Sequence, residues 1–122
     1  MVELERVRAD EALRTSEEQY RAIFNATTDG LVLRDPELRL VDVNPALLAM
    51  TGFTREETIG EGRILFAPPE LHDRVRDAYR RALAGEHVVY ESDAVRRDGG
   101  RFEVEPSIDS ARSASTVATL PR

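Results

Sequence analysis

The chain has two histidines, His72 and His87, and no cysteine, so thiolate metal sites, thiol nucleophiles and disulfides are excluded at the outset. His72 stands three residues before Val75 and seven before Tyr79 in a helix-forming segment, near its apolar face, and is the one residue with a claim on a cofactor. His87 falls at the start of a strand-like run and reads as solvent-facing; nothing in the spacing brings it to His72 as a metal pair. The paired acids Glu56-Glu57 and Glu103 with Glu105 read as exposed faces rather than acid/base machinery. No serine lies in a nucleophile motif with histidine, and no glycine loop is placed to cradle phosphate. Gly99-Gly100 follows one strand and opens another, which is turn chemistry. Asp42 and Asn44 are conspicuous polar residues that capping and strand-end hydrogen bonds explain. The expectation is a chain that carries no catalytic group.

The elements that position these residues are clearest from Asp29 to Phe53. Two apolar runs, Leu31 to Leu33 and Leu40 to Val43, flank Asp35-Pro36-Glu37, where proline fixes φ and turns the chain into a hairpin. Asn44 then precedes Pro45 and the apolar group Ala46, Leu47, Leu48 and Met50, the order of an N-cap, a first-turn proline and a buried helical face ending near Gly52. Thr54 predicts a short helix, Arg55 to Ile59. Pro68-Pro69 opens a longer one, Glu70 to Ala84, with Leu71, Val75, Ala78, Tyr79 and Ala82 on one face and Gly85 as its stop. Two further strands, Glu86 to Val95 and Arg101 to Ile108, meet around Asp98-Gly99-Gly100.

Asp29-Gly30, Val43-Asn44-Pro45-Ala46, Thr51-Gly52-Phe53 and Arg97-Asp98-Gly99, in that order, resemble a PAS domain, the sensory and interaction module of many bacterial signalling proteins. The resemblance covers roughly Ser16 to Ile108. It implies an α+β fold with a five-stranded antiparallel sheet in spatial order two, one, five, four, three, helices on one face, and a helix ahead of the sheet. It also implies that any ligand sits on the concave face between sheet and helices, here Leu33, Val41, Val43, Met50, Phe53, Ile59, Val75, Tyr79, Phe102 and Val104; packing of these side chains into a filled core is the favoured reading. Haem-binding relatives hold iron through a histidine on the helix equivalent to that of His72, but their companion residues after Gly85 are absent, and haem is disfavoured. The flavin relatives that form a cysteine adduct are excluded for lack of cysteine. The cofactor expectation is none, or an unknown small ligand.

Residues 1–24 are strong helix formers without Gly or Pro. Leu4, Val7, Leu13, Tyr20, Ile23 and Phe24 form a sparse apolar stripe that suits a dimer-forming, coiled-coil-like helix better than a lone solvated one. Ser16 with Gln19 is a capping-box pattern that predicts a restart near Thr15. Residues 25–109 form the PAS-like domain. Residues 110–122, rich in Ser, Ala and Thr, are an atypical tail with two readings: a disordered or foreign segment, or a weak last strand over Ser115 to Leu120. The composition favours the first, which leaves the sheet incomplete and the first and fourth strands as open edges available for pairing. Pro106, within a strand, belongs at an edge or bulge.

A net charge of −6 excludes a nucleic-acid partner, since no basic patch is present to attract phosphate. No apolar run reaches the roughly twenty residues of a bilayer span, and the charged start is no secretory signal. The expectation is a cytoplasmic sensory and regulatory module, on its own or as the cytoplasmic part of a membrane-bound receptor. It would dimerise through the N-terminal helix or exposed sheet edges and relay signals to an output domain such as a histidine kinase. The alternatives are a small-ligand or haem sensor and a purely structural dimerisation unit.

Overall fold

The computed structural model describes residues 2–109 and 114–119. Helix α1 spans Val2–Ala26 and is followed by strands β1 (Gly30–Arg34) and β2 (Leu40–Val43), then helices α2 (Pro45–Thr51) and α3 (Arg55–Thr58). A 3₁₀ turn, Pro69–Leu71, runs into α4 (His72–Leu83), and the chain closes with β3 (Val88–Val89), β4 (Ser92–Val95), β5 (Arg101–Asp109) and β6 (Ala114–Thr119). The strands pair antiparallel in the order β2-β1-β6-β5-β3, with β4 also on β5.

The tail therefore corrects the favoured expectation. Ala114–Thr119 is the central strand of the sheet, with Val117 opposite Gly30 on one side and Pro106 on the other. Its β-branched Thr116, Val117 and Thr119 suit a pleated surface, and two flanking ladders outweigh the small-residue composition. Strands β1 and β5 are in consequence not open edges. Residues 110–113 and 120–122 of the predicted tail lie outside the described residues.

Pro106 explains why the predicted strand Glu86 to Val95 is two strands. Its carbonyl accepts from Tyr90 N at 3.1 Å, but it has no N–H to return, and the pairing lapses between β3 and β4 at that point. The break expected near Thr15 is absent: α1 runs unbroken through Thr15 and Ser16, because the helix formers around them propagate the backbone past a weak capping signal.

Locally the chain folds as its residue types dictate. Asn44 caps α2, Pro45 opens it, and Gly52 closes it at φ 79 with its N–H on Leu48 O. Thr54 and Glu57 form a capping box around α3. Gly30 lets β1 and α2 approach closely: a Cβ there would meet Leu47 Cδ1 at 2.8 Å and Leu47 Cβ at 3.3 Å, so the buried Leu47 side chain would have to shift. The core lies between α4 and the sheet, where Val75, Ala78, Tyr79 and Ala82 pack on Val88 and Ile108, beside a cluster of Val32, Leu40, Val43 and Leu47 and another of Ala94, Phe102 and Val104. Each large apolar side chain buried this way contributes about 1.5–3 kcal/mol before entropy is counted.

Candidate functional site

A cavity of about 60 Å³ lies between α4 and the sheet. Its walls are apolar side chains of the three clusters, including Val32, Val75, Phe102 and Val104, with Ile64 and Phe66 from the α3–α4 connection and Val117 from β6. Polar groups come from Arg34, Thr51, Tyr79, Tyr90, Ser92 and Asp93. This volume is well below the roughly 300–1,000 Å³ of a drug-sized ligand site.

Of the ten residues expected on this face, Val75, Tyr79, Phe102 and Val104 line the cavity. Val43 is buried in the core beside it, Met50 packs on the cluster of Ala94, Phe102 and Val104, and Phe53 makes an edge contact with Phe66 at 5.6 Å between centroids. Leu33, Val41 and Ile59 are misplaced by the sequence reading. Leu33 lies off the inward face because β1 alternates without a break, with Gly30, Val32 and Arg34 inward. For Val41 the cause is a register shift in the β1–β2 hairpin: Leu33 pairs with Asp42 but Arg34 pairs with Leu40, so Val41 is skipped and turns to solvent. Ile59 caps the C-terminal end of the short α3 and is exposed.

Among the cavity residues that the sequence reading missed, Arg34 is the buried charged one. It is only 6% exposed, although arginine in an alternating strand ordinarily marks the solvent face. Its Nη1 donates to Leu38 O at 2.8 Å, from a turn in which Leu38 adopts φ 66, and its guanidinium lies 5.4 Å from the Tyr79 ring centroid. Its Nε is buried without a partner, and among the described residues no carboxylate lies within ion-pair distance of it. A buried ion costs several kcal/mol in desolvation; a cation–π contact returns about 2 and a neutral carbonyl about 1.5–3, a sum of the same order, while Nε makes no bond. Burial, and then the nearby Tyr79, push the Tyr90 hydroxyl up to about 12, so it stays neutral and supplies no countercharge.

His72 is not on the cavity wall. It begins α4, with Nε2 2.9 Å from Ala67 O, and that contact orients the ring toward the preceding loop. His87 lies 3.4 Å from Ser107 Oγ on the exposed surface. Among the described residues no group of three or more His, Asp or Glu could hold a metal. Of the paired acids of the sequence reading, Glu57 bonds Arg97 at 2.8 Å on the surface; elsewhere Glu70 pairs with Arg101.

A second polar cluster ties α1 to the domain. Asn44 is 0% exposed and spends its whole side chain on main-chain groups. Its Oδ1 accepts from Leu31 N at 2.8 Å and Leu47 N at 3.0 Å, while Nδ2 donates to Phe24 O at 3.0 Å and Asp29 O at 2.9 Å. Beside it Asp42 receives Arg21 of α1 and Arg55 of α3, each at 2.9 Å. The expected helix stripe divides here. Phe24 is buried and Tyr20, half-buried, stacks on it at 5.3 Å, whereas Leu4, Val7, Leu13 and Ile23 face solvent. Phe24 is thus not part of the outward stripe, because a side chain at the helix end is claimed by the domain it enters.

The strand order, with the last strand between the first and the one before it, is that of the PAS sheet, and the family model described as PAS fold matches residues 24–105. The chain belongs to the PAS-fold family. This PAS domain is 29% identical over 107 residues to the methyl sulfide methyltransferase-associated sensor of Methanosarcina acetivorans, covering 87% of this chain and 11% of that protein. It is 40% identical over 53 residues to sporulation kinase E of Bacillus subtilis, covering 43% and 7%. Among solved structures it is similar to a domain of a sensory box sensor histidine kinase/response regulator from Geobacter sulfurreducens, with TM-score 0.75 and 25% identity, covering 87% of this chain and 96% of that one. The chain spans about a tenth of the length of these curated relatives. It is a PAS sensor domain, related to those of histidine kinases, and no helix among its described residues is long and apolar enough to cross a membrane.

Proposed function

We propose that this PAS domain is the regulatory part of a longer signalling protein, that α1 pairs with α1 of a second copy, and that packing changes at the sheet pass through the α1 junction to an output domain such as a histidine kinase. The observation that carries this reading is the Asn44 side chain, which links the end of α1 to β1 and α2 in one fully satisfied group. A shift of the sheet against α2 cannot leave Asn44 in place without breaking a buried hydrogen bond, so it moves the end of α1. In this reading the chain divides into a helix over residues 1–24 and a PAS body from residue 25 onward. The protein acts in this reading by conformation, without chemistry of its own.

Dimerisation is supported by the exposed apolar side chains Leu4, Val7, Leu13 and Ile23 on a helix whose residues 4–19 are all exposed. An isolated helix in water is marginal, and a second copy supplies the surface it lacks. Multi-angle light scattering of the chain and of a Leu13→Glu/Ile23→Glu variant tests it. The expected result is a dimer mass for the chain and a monomer mass for the variant, with unchanged thermal unfolding of the PAS body. A monomer mass for the unaltered chain at ~100 μM, well above the micromolar range of ordinary association, would overturn the pairing.

A further inference from the structure

We propose that Asp42 sets the grips of α1 and α3 on the sheet against each other: its single carboxylate is shared between Arg21 of α1 and Arg55 of α3, so loosening α3 from the sheet tightens α1 on it, and the reverse. This antagonism deepens the regulatory reading above and rests on it only for the consequence at an output domain.

The sharing is visible in the geometry. Asp42 Oδ2 pairs with Arg21 Nη1 and Asp42 Oδ1 with Arg55 Nη1, each at 2.9 Å, and the carboxylate side chain is only 9% exposed. One oxygen goes to each cation, so neither arginine obtains the parallel two-oxygen pairing that makes an arginine–carboxylate bond strong. Among the described residues neither arginine is within ion-pair distance of another carboxylate. Two like charges are therefore held by one opposite charge, and each is attracted by Asp42 and repelled by its competitor. Withdrawing either arginine removes a repulsion from the one that stays and frees part of the carboxylate toward it. Val43 N, which donates to Asp42 Oδ1 at 3.0 Å, keeps the carboxylate in place when one arginine leaves.

The two grips belong to different parts of the fold. The Arg21 guanidinium lies 6.0 Å from the Tyr20 ring centroid and 5.9 Å from that of Phe24, the pair that seats α1, so its hold on Asp42 bears on that seat. Arg55 opens α3 and also donates to Val43 O at 3.3 Å. The segment after α3 returns to β2, where Gly60 N donates to Leu40 O and Leu40 N to Glu61 O. Movement of α3 and this segment away from β2 withdraws Arg55 from Asp42. Asn44 binds α1, β1 and α2 at once and makes them move together. Asp42 reverses the sense for α3.

The test is hydrogen exchange followed by proton–nitrogen NMR on the full chain. Amides of residues 20–24 report on α1, and those of α4 are the reference that removes any change in global stability. Arg21→Gln and Arg55→Gln each delete one charge, and the double variant closes the cycle. In Arg55→Gln the α1 amides are expected to exchange about threefold more slowly at an ionic strength of about 0.01 M, and the gain should vanish at about 1 M. The factor is at the low end for one ion network because both arginines are half exposed. Arg21→Gln should accelerate the same amides, and adding Arg55→Gln to it should change them no further. By reciprocity, Arg21→Gln should slow the amides of Ile59 and Gly60, at the end of α3, by about the same factor. Should Arg55→Gln fail to fold, that arm decides. Unchanged or faster exchange of α1 in Arg55→Gln at low salt, or a slowing that persists at high salt or in the Arg21→Gln background, would overturn the antagonism. The scattering experiment above is separate: a monomeric chain that shows the antagonism removes the helix-pairing reading and keeps the shared carboxylate, and a dimer whose α1 is indifferent to Arg55→Gln does the reverse.

Discussion

Asn44 Nδ2 donates 3.0 Å to the carbonyl of Phe24, twenty residues earlier in the chain, and so closes the last turn of α1 onto the start of α2. Helix C-termini leave carbonyls unsatisfied, and this one is met by a buried side chain rather than by water or a glycine cap. Replacing Asn44 with Ala removes four hydrogen bonds and leaves main-chain groups of three elements without partners. The expected destabilisation is about 3–4 kcal/mol, against about 1 kcal/mol for an ordinary N-cap, measured by urea unfolding. Hydrogen exchange of the amides of residues 22–26 should accelerate more than that of α4. Equal acceleration in both helices would mean that Asn44 stabilises the fold without coupling α1 to it.

Central placement of β6 makes a second prediction. Gly30↔Val117 and Pro106↔Val117 put Ala114–Thr119 between two ladders, so amides of this segment that face them should be protected from exchange to near the global unfolding free energy. A Val117→Pro substitution removes a donor in the middle of the sheet and a side chain from the cavity wall, and is expected to cost at least about 3 kcal/mol, read from the thermal midpoint. Near-native stability in that variant would show that β6 is dispensable.

Acid titration gives a third. The Glu61 carboxyl is held down at about 2 by the Arg63 side chain and then by the Arg63 backbone N–H. Glu57 is also held below its ordinary value, first by the Thr54 backbone N–H of the capping box and then by Arg97. Carboxyls whose folded pKa is depressed contribute stability that is fully present above their unfolded value and is lost as pH falls through the folded one. Stability should thus decline from roughly pH 4.5 toward pH 2, modestly because both groups are on the surface. Carbon-detected NMR of the side-chain carboxyls together with urea midpoints checks it. An ordinary carboxylate midpoint for Glu61 would remove the Arg63 contribution.

Much of the architecture was legible in local chemistry. Asn44-Pro45 before an apolar helical face, Gly52 after it, Thr54 with Glu57, and Pro68-Pro69 ahead of α4 act within a few residues of themselves, so their types were enough to place α2, α3 and α4. The order of those signals also pointed to the PAS fold and its sheet. What required the tertiary structure depends on partners distant in sequence. Ala114–Thr119 is a strand because β1 and β5 bracket it; alone, its composition reads as a tail. Pro106 splits β3 from β4 because of where Tyr90 falls opposite it. The shift after Leu33 sends Val41 outward, and alternation in a single strand cannot reveal a residue skipped in its partner. Asn44 was readable as a cap, but not as the group that fastens α1, because two of its four bonds go to carbonyls fifteen and twenty residues away. Residue types in this chain determined the local elements, through propensities and caps that act at short range. Packing decided which faces meet, and with them the burial of Arg34 against Tyr79 and of Asp42 between Arg21 and Arg55.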